Sequence, residues 1–102
     1  MPTKKRKMPP VHPGEILRED LMTPLGLSMS GLARDLKVPE SRLRDIINGC
    51  RGISTDTALR LARYFGNTPQ FWMNLQSAYD LEVAIRLTAE KIERDVHPRK
   101  AA

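Results

Sequence analysis

The sequence contains little of what a secreted, metal-binding or membrane protein needs. Among its 102 residues there is a single cysteine, Cys50, so no internal disulfide can form and a reducing compartment is indicated. The two histidines, His12 and His97, lie far apart without a cysteine cluster, which argues against a zinc site. No apolar run approaches the length of a membrane span or a signal-peptide core. We therefore expect a cytoplasmic protein without a metal or another cofactor.

Aromatic residues are also scarce, at 5% of the chain, so leucine, isoleucine and alanine must form most of the core. Tyr64, Phe65, Phe71 and Trp72 could form a stacking platform for nucleic-acid bases, but their helical spacing favours core packing. The chain has no glycine-rich phosphate loop and no serine–histidine–aspartate pattern, so we expect no enzymatic activity. Cys50 is interpreted as incidental, with a reactive thiol as the alternative.

What the chain does carry is an excess of positive charge, formally +5 at pH 7. Residues 1–10 hold four basic and no acidic side chains, whereas residues 68–102 hold five of each. The excess therefore lies in the first two-thirds of the chain. A basic balance favours polyanionic partners such as nucleic acid.

Capping residues and apolar periodicity predict five helices. The first begins near Pro13 and is ended by residues 23–26, TPLG, because proline disfavours helix before it and glycine permits a left-handed turn. No stretch alternates apolar and polar residues over a useful length, so the predicted fold class is all-α. The other helices are predicted to begin at Ser28, Glu40, Ser54 and Thr68, and the second to fourth to end near Lys37, Asn48 and Gly66.

The most informative segment is 28–48, which has the pattern of a helix-turn-helix unit, although any small helical bundle can show similar spacing. Ala33 is small where the two helices would cross, and Val38 would plug the turn. Lys37 occupies the turn position where glycine is common, so either Lys37 adopts positive φ at a cost of roughly 1 kcal/mol or the turn is wider than usual. The apolar residues that would hold the helices together are Leu32, Leu36, Leu43 and Ile46.

The outer face of the third helix mixes arginine, serine and carboxylate side chains, which suits base reading in a major groove. Arginine pairs with guanine, and a carboxylate can accept from cytosine. The predicted base-reading residues are Glu40, Ser41, Arg42, Arg44 and Asp45, with Arg42 shared between base and phosphate. The predicted phosphate contacts are Ser30, Arg34, Asn48 and Arg51. The alternatives are solvated surface charges for the arginines and a helix C-terminal residue without a ligand for Asn48.

Several segments resemble the HigA family of antitoxins, in order and at matching spacing over residues 12 to about 85. They are HPGEIL at 12–17, GCRGIS at 49–54, DTALRLARYFG at 56–66, FWMNLQ at 71–76 and YDL at 79–81. The resemblance implies a five-helix, lambda-repressor-like domain that dimerises and binds a palindromic operator through residues 40–45. It also implies direct neutralisation of a HigB-type toxin, a ribosome-dependent mRNA endonuclease, and repression of the antitoxin's own operon.

The chain is accordingly divided into a DNA-binding domain with extensions. Residues 1–11 are predicted to be a flexible basic arm, which could be a solvated tail, follow a DNA groove or contact a protein. The helix-turn-helix domain spans 12–76, and 77–95 form a helical extension for dimerisation or partner docking through the stripe Leu81, Ile85, Thr88 and Ile92. Residues 96–102 are predicted to be a disordered tail.

Three functions compete at this point. The first is an antitoxin that represses transcription as a homodimer and sequesters a toxin. The second is a stand-alone helix-turn-helix regulator without a toxin. The third is a protein-interaction module that no longer reads DNA, and the outward arginines Arg42 and Arg44 argue against it. The family resemblance favours the first, for which a cytoplasmic, nucleoid-associated location is expected.

Overall fold

The structure is a computed structural model and describes residues 9–100. This part of the chain contains five helices and no strand, which confirms the predicted all-α fold class. Residues 1–8 of the predicted basic arm and residues 101–102 of the predicted tail lie outside the described residues. Helix α1 consists of three consecutive pieces, Pro13–Ile16, Leu17–Met22 and Thr23–Leu25, and is followed by α2 (Met29–Leu36), α3 (Glu40–Ile47), α4 (Thr55–Phe65) and α5 (Pro69–Asp95).

Helix α1 differs from the prediction because it continues through Pro24. Its middle piece is π-helical, and the Thr23 N–H donates to the carbonyl of Arg18, five residues earlier. This wider turn accommodates a proline, which has no N–H and would crowd the carbonyl four residues before it in a regular α-helix. The helix ends at Gly26, which has a φ of 67°. Segment 23–26 does end α1, but the glycine ends it and the proline does not.

The predicted helix starts are confirmed by their caps. The side-chain oxygens of Ser28, Ser54 and Thr68 accept from backbone N–H groups three residues later, at 3.0, 3.2 and 3.1 Å. Helix α3 begins at Glu40 as predicted but is one residue shorter, since Asn48 is its C-cap. Each of these starts depends on residues adjacent in sequence, which explains why the sequence pattern located them.

The core lies where the first four helices meet the beginning of α5. Val38 is buried in the turn as predicted, and Trp72 is fully buried, with its indole N–H donating to Asn67 Oδ1 at 2.8 Å. The residues predicted to hold α2 and α3 together, Leu32, Ala33, Leu36, Leu43 and Ile46, are all buried. This packing fixes α3 on the surface of the domain.

Core packing of the aromatic residues is confirmed only in part. Phe65 is half-buried and packs against the core, which includes the fully buried Trp72. Tyr64 and Phe71 remain 39% and 40% exposed, so the core interpretation is wrong for these two. Their rings contact their neighbours edge-on at centroid distances of 4.9 and 5.0 Å, which leaves one side of each ring in solvent.

Helix α5 extends well beyond the domain. Of its 27 residues only Trp72 and Gln76 are buried, and every residue after Val83 is exposed. The protruding half contributes to a longest dimension of 55 Å, against 30 and 25 Å in the other directions. The predicted division between residues 76 and 77 therefore falls inside one continuous helix.

Candidate nucleic-acid interface

The turn between α2 and α3 has the strained conformation, and not the wider turn, of the two alternatives that the sequence left open. Lys37 has a φ of 61° and a ψ of 42°, and no other non-glycine among residues 9–100 has positive φ. The N–H groups of Lys37 and Val38 donate to the carbonyls of Arg34 and Ala33, which is the Schellman pattern of a helix end. The turn thus directs the chain away from α2 and into α3.

Arg60 on α4 also stabilises this turn. Its guanidinium donates to the carbonyl of Leu36 at 3.0 Å and approaches that of Lys37 at 3.4 Å. These carbonyls belong to the end of α2, where acceptors have no partner within the helix. The role of Arg60 was not predicted from the sequence, because its contact with Leu36 spans 24 residues and no local pattern indicates it.

Helix α3 presents the predicted base-reading residues on one accessible side. Leu43, Ile46 and Ile47 are buried beneath the helix. Glu40, Ser41 and Arg44 are exposed, and Arg42 and Asp45 are half-buried at the margins of the same side. The five side chains therefore form a polar surface, here called the α3 face, on a helix that the core holds in place.

Three arginines of this region, Arg42, Arg44 and Arg51, each lie near a carboxylate. The three N–O distances are 3.0 Å for Arg44–Glu40, 3.6 Å for Arg51–Asp45 and 3.6 Å for Arg42–Asp56. The side chains keep between 34% and 58% of their accessible surface, so solvent screens each pair and its contribution to stability is small. These arginines can exchange a carboxylate for a phosphate or a base at little cost.

A cleft of about 350 Å³ lies between α3 and the N-terminus of α4. The free N–H groups of the first turn of α4 give this end a partial positive charge. The hydrogen bond from Arg60 lowers the pKa of Asp56, which keeps that carboxylate ionised opposite Arg42. The cleft is lined by Arg42, Arg51, Gly52, Ser54, Asp56 and Thr57. The cleft thus carries two guanidinium groups and the positive helix end against one carboxylate, a net positive charge.

Comparisons with known proteins agree with this geometry. The helix-turn-helix family matches residues 17–72, more than half of the chain. Virulence-associated protein I of Dichelobacter nodosus is 54% identical over 82% of this chain and 78% of its own. A solved structure of an addiction module antidote protein of the HigA family, from Coxiella burnetii, is 50% identical with a TM-score of 0.85, covering 90% of this chain and 100% of that one.

A third relative was solved with DNA. It is the antitoxin HigA of Pseudomonas aeruginosa with the higBA promoter, 46% identical with a TM-score of 0.87, covering 89% of this chain and 99% of that one. The chain belongs to the HigA family of helix-turn-helix proteins. This membership confirms the resemblance drawn from the segments between residues 12 and 81, and the five-helix architecture with its extended last helix.

The four predicted phosphate contacts of this HigA-family chain are all exposed. Ser30 and Arg34 are exposed on α2, and Asn48 is exposed at the end of α3. Arg51 is exposed in the loop that follows, with its guanidinium near Asp45 of α3. Their contacts with DNA stay predictions. Cys50, in the same loop, is exposed, and its Sγ lies 3.9 Å from the carbonyl of Asn48, a weak contact at most.

Within residues 9–100 no group of three or more histidine, cysteine or acidic side chains could hold a metal ion. Over the same range no helix is both long and apolar enough to cross a membrane.

Proposed function

We propose that this chain is an antitoxin that binds a palindromic operator as a homodimer, represses its own operon and neutralises a HigB-type mRNA endonuclease by direct binding. The observation that carries the proposal is the accessible α3 face, with Arg44 at its centre, in a fold shared with a HigA solved together with promoter DNA. The chain acts by binding alone and, as an operator-bound repressor, is associated with the nucleoid.

Base reading is assigned to the α3 face. Arg44 is half-exposed and its Nη2 lies 3.0 Å from Glu40 Oε2, so the guanidinium is already directed along the helix surface. In the major groove it exchanges Glu40 for the two acceptors of a guanine. Ser41 lies beside it, and Asp45 can accept from a cytosine amino group once Arg51 has turned to the phosphates. Arg42 reaches either a base or a phosphate.

Phosphate contacts are assigned to residues at both ends of the helix-turn-helix unit. Ser30 and Arg34 are exposed on α2, before α3 in the chain, and Asn48 and Arg51 are exposed at and after the end of α3. Phosphate contacts at both ends fix the register of a recognition helix without reading sequence. Each neutralised phosphate releases counterions, so binding should weaken steeply with salt.

The homodimer is assigned to the protruding half of α5. Leu81, Ile85 and Ile92 are between 53% and 61% exposed along one side of the helix and line a shallow groove of about 450 Å³. Such an apolar stripe on an unsupported helix is explained by a second copy packed against it. Twofold symmetry would place the two α3 helices roughly 34 Å apart, one turn of DNA.

The test of operator binding replaces Arg44 with alanine and compares a duplex from upstream of the chain's own gene with a scrambled duplex of equal length. We expect a loss of about 1–3 kcal/mol on the first duplex and a much smaller loss on the second. The matched control is Arg99→Ala, which removes the same charge from the exposed segment that follows α5 and should change neither affinity. Equal losses on both duplexes would make Arg44 a phosphate contact, and a wild-type chain without preference for either would refute operator binding.

The test of toxin neutralisation is separate. The chain is co-expressed with a HigB-type toxin encoded beside it, and complex formation and cell growth are measured. We expect a stable complex and restored growth, also for Arg44→Ala, because toxin binding does not require the DNA contact. A chain that binds its operator but neither binds nor neutralises the toxin would be a stand-alone transcriptional regulator.

A further inference from the structure

A side chain of α5 binds the loop that joins α3 to α4, residues 48–54. Gln76 is only 8% exposed, and its Oε1 accepts from the Ile53 N–H at 2.7 Å. Its Nε2 donates to Asp80 Oδ1 at 2.9 Å, one turn further along α5. Both ends of the carboxamide are therefore used, and its orientation is fixed by two partners of opposite hydrogen-bonding character.

The loop backbone lies directly against this carboxamide. A Cβ added to Gly52 would lie 3.0 Å from both Cδ and Nε2 of Gln76, closer than ordinary packing allows. Ile53, whose N–H receives the bond, is itself buried. If the loop moved away from α5, that buried donor would lose its partner, which is strongly disfavoured. The contact therefore holds the loop in one place.

A second contact restrains the beginning of the same loop. The ring of His12 lies 3.9 Å from the position of a Cβ on Gly49 and packs edge-on against Tyr79 of α5, with centroids 4.8 Å apart. His12 also caps α1, since its Nδ1 accepts from the Gly14 N–H at 2.9 Å. The start of α1 and the early part of α5 thus enclose the loop on its inner side.

The outer side of the loop carries Arg51. Its guanidinium is 54% exposed and lies 3.6 Å from Asp45 on α3. Arg51 is two residues from Ile53, so the bond to Gln76 restrains its backbone from α5, together with a hydrogen bond between the His12 side chain and the Arg51 backbone. A long, flexible side chain meets a phosphate with less loss of entropy when its backbone is already fixed.

We infer that Gln76 is a positioning residue for DNA binding, which fixes the α3–α4 loop from α5 so that Arg51 meets the phosphate backbone beside α3. The inference rests on the proposed operator binding and adds to it. One contact of the interface is set by a residue that touches no DNA and lies 25 positions later in the chain.

The test replaces Gln76 with methionine, which keeps the length of the side chain and removes both hydrogen bonds. Binding to the duplex from upstream of the chain's own gene is measured over a series of salt concentrations. We expect about a tenfold loss of affinity and a salt dependence reduced by about one unit of slope, the same changes as for Arg51→Ala. Combined with Arg51→Ala, Gln76→Met should cause little additional loss. Gln70→Met is the matched control, because Gln70 is exposed on α5 and its carboxamide bonds to Asn74, one turn further along the same helix.

A merely structural role predicts different results. If Gln76 only stabilised the fold, the loss of affinity from its substitution would multiply the loss caused by Arg51→Ala. The salt dependence of binding would keep its wild-type slope. Either result overturns the inference. If the wild-type chain showed no salt-dependent binding to the duplex, operator binding itself would be refuted, and the inference with it. These two failures are distinguished by the wild-type measurement alone.

Two further variants cover the case in which Gln76→Met does not fold. Gly52→Ala adds a methyl group at an exposed loop position and pushes it against the carboxamide, so it should reproduce the reduced slope. Gln76→Glu combined with Asp80→Asn exchanges carboxylate and amide, keeps an acceptor for the Ile53 N–H and restores the bond between the two side chains. The exchanged pair should regain affinity that Gln76→Glu alone loses. A folded Gly52→Ala variant with the wild-type slope, or an exchanged pair without recovery, overturns the inference.

Discussion

Replacing Lys37 with glycine should stabilise the protein. At a φ of 61° a residue with a Cβ is disfavoured by about 1–2 kcal/mol relative to glycine. Glycine also lowers the stability of the fold by about 0.5–1 kcal/mol, because the unfolded chain has more conformational freedom at glycine. Lys37 is exposed, and its backbone bonds to Arg34 and Arg60 do not depend on its side chain. The expected net gain is therefore about 0.5–1 kcal/mol.

Urea denaturation at one fixed protein concentration measures this gain, because the stability of a dimer depends on concentration. The matched control is Lys37→Ala, which removes the same charge but keeps the Cβ and the strained backbone. We expect the order of stability to be glycine above lysine, with alanine equal to or below lysine. If the glycine and alanine variants unfold at the same urea concentration, strain at this turn does not limit stability and the reasoning is wrong.

Three other changes test the packing around the interface. Gly14→Ala should destabilise the fold by about 3 kcal/mol or more in urea denaturation, because its Cβ would lie 1.8 Å from the carbonyl oxygen of Ile46. If the variant unfolded at the same urea concentration as the wild type, the close approach of α1 and α3 would be contradicted. Arg60→Ala should cost about 1 kcal/mol by the same assay, since the carbonyl of Leu36 loses its donor, and an unchanged midpoint would show that water replaces it. Burial lowers the pKa of His12 and outweighs the nearby charge of Asp80, which raises it. The unfolded chain therefore binds a proton at His12 more readily than the folded chain does. The stability that neutral His12 contributes is complete above about pH 6.5 and is lost as the pH falls below that value. His12→Asn keeps a capping acceptor, and its stability relative to wild type should improve on acidification; a constant difference between pH 7 and pH 5 would refute the assignment.

The sequence located the features that depend on neighbouring residues. Ser28 and Ser54 are capping side chains whose partners lie three positions away, and the positive φ of Lys37 follows from the short turn that it occupies. The exposed α3 face follows from the burial of Leu43 and Ile46 at helical spacing. In each of these cases the pattern and the physical cause occupy the same few residues.

The features that the sequence did not locate depend on contacts between distant segments. Arg60 reaches the end of α2 across 24 residues, and Gln76 reaches Ile53 across 23. Neither contact has a local pattern, so Gln76 was identified only as part of a family segment. The path of α1 through Pro24 was missed for a related reason, because the π-helical turn that permits it changes bonding without changing apolar periodicity.

The central claim is that the α3 face reads bases, and methylation interference tests it most directly. Guanines of the upstream duplex are methylated at N7, and those that block binding are mapped for the wild-type chain and for Arg44→Ala. If Arg44 pairs with a guanine, methylation of one guanine in each half-site should block the wild-type chain and no longer impair the variant. An identical pattern for both proteins would show that Arg44 contacts no base at that edge and would contradict the account.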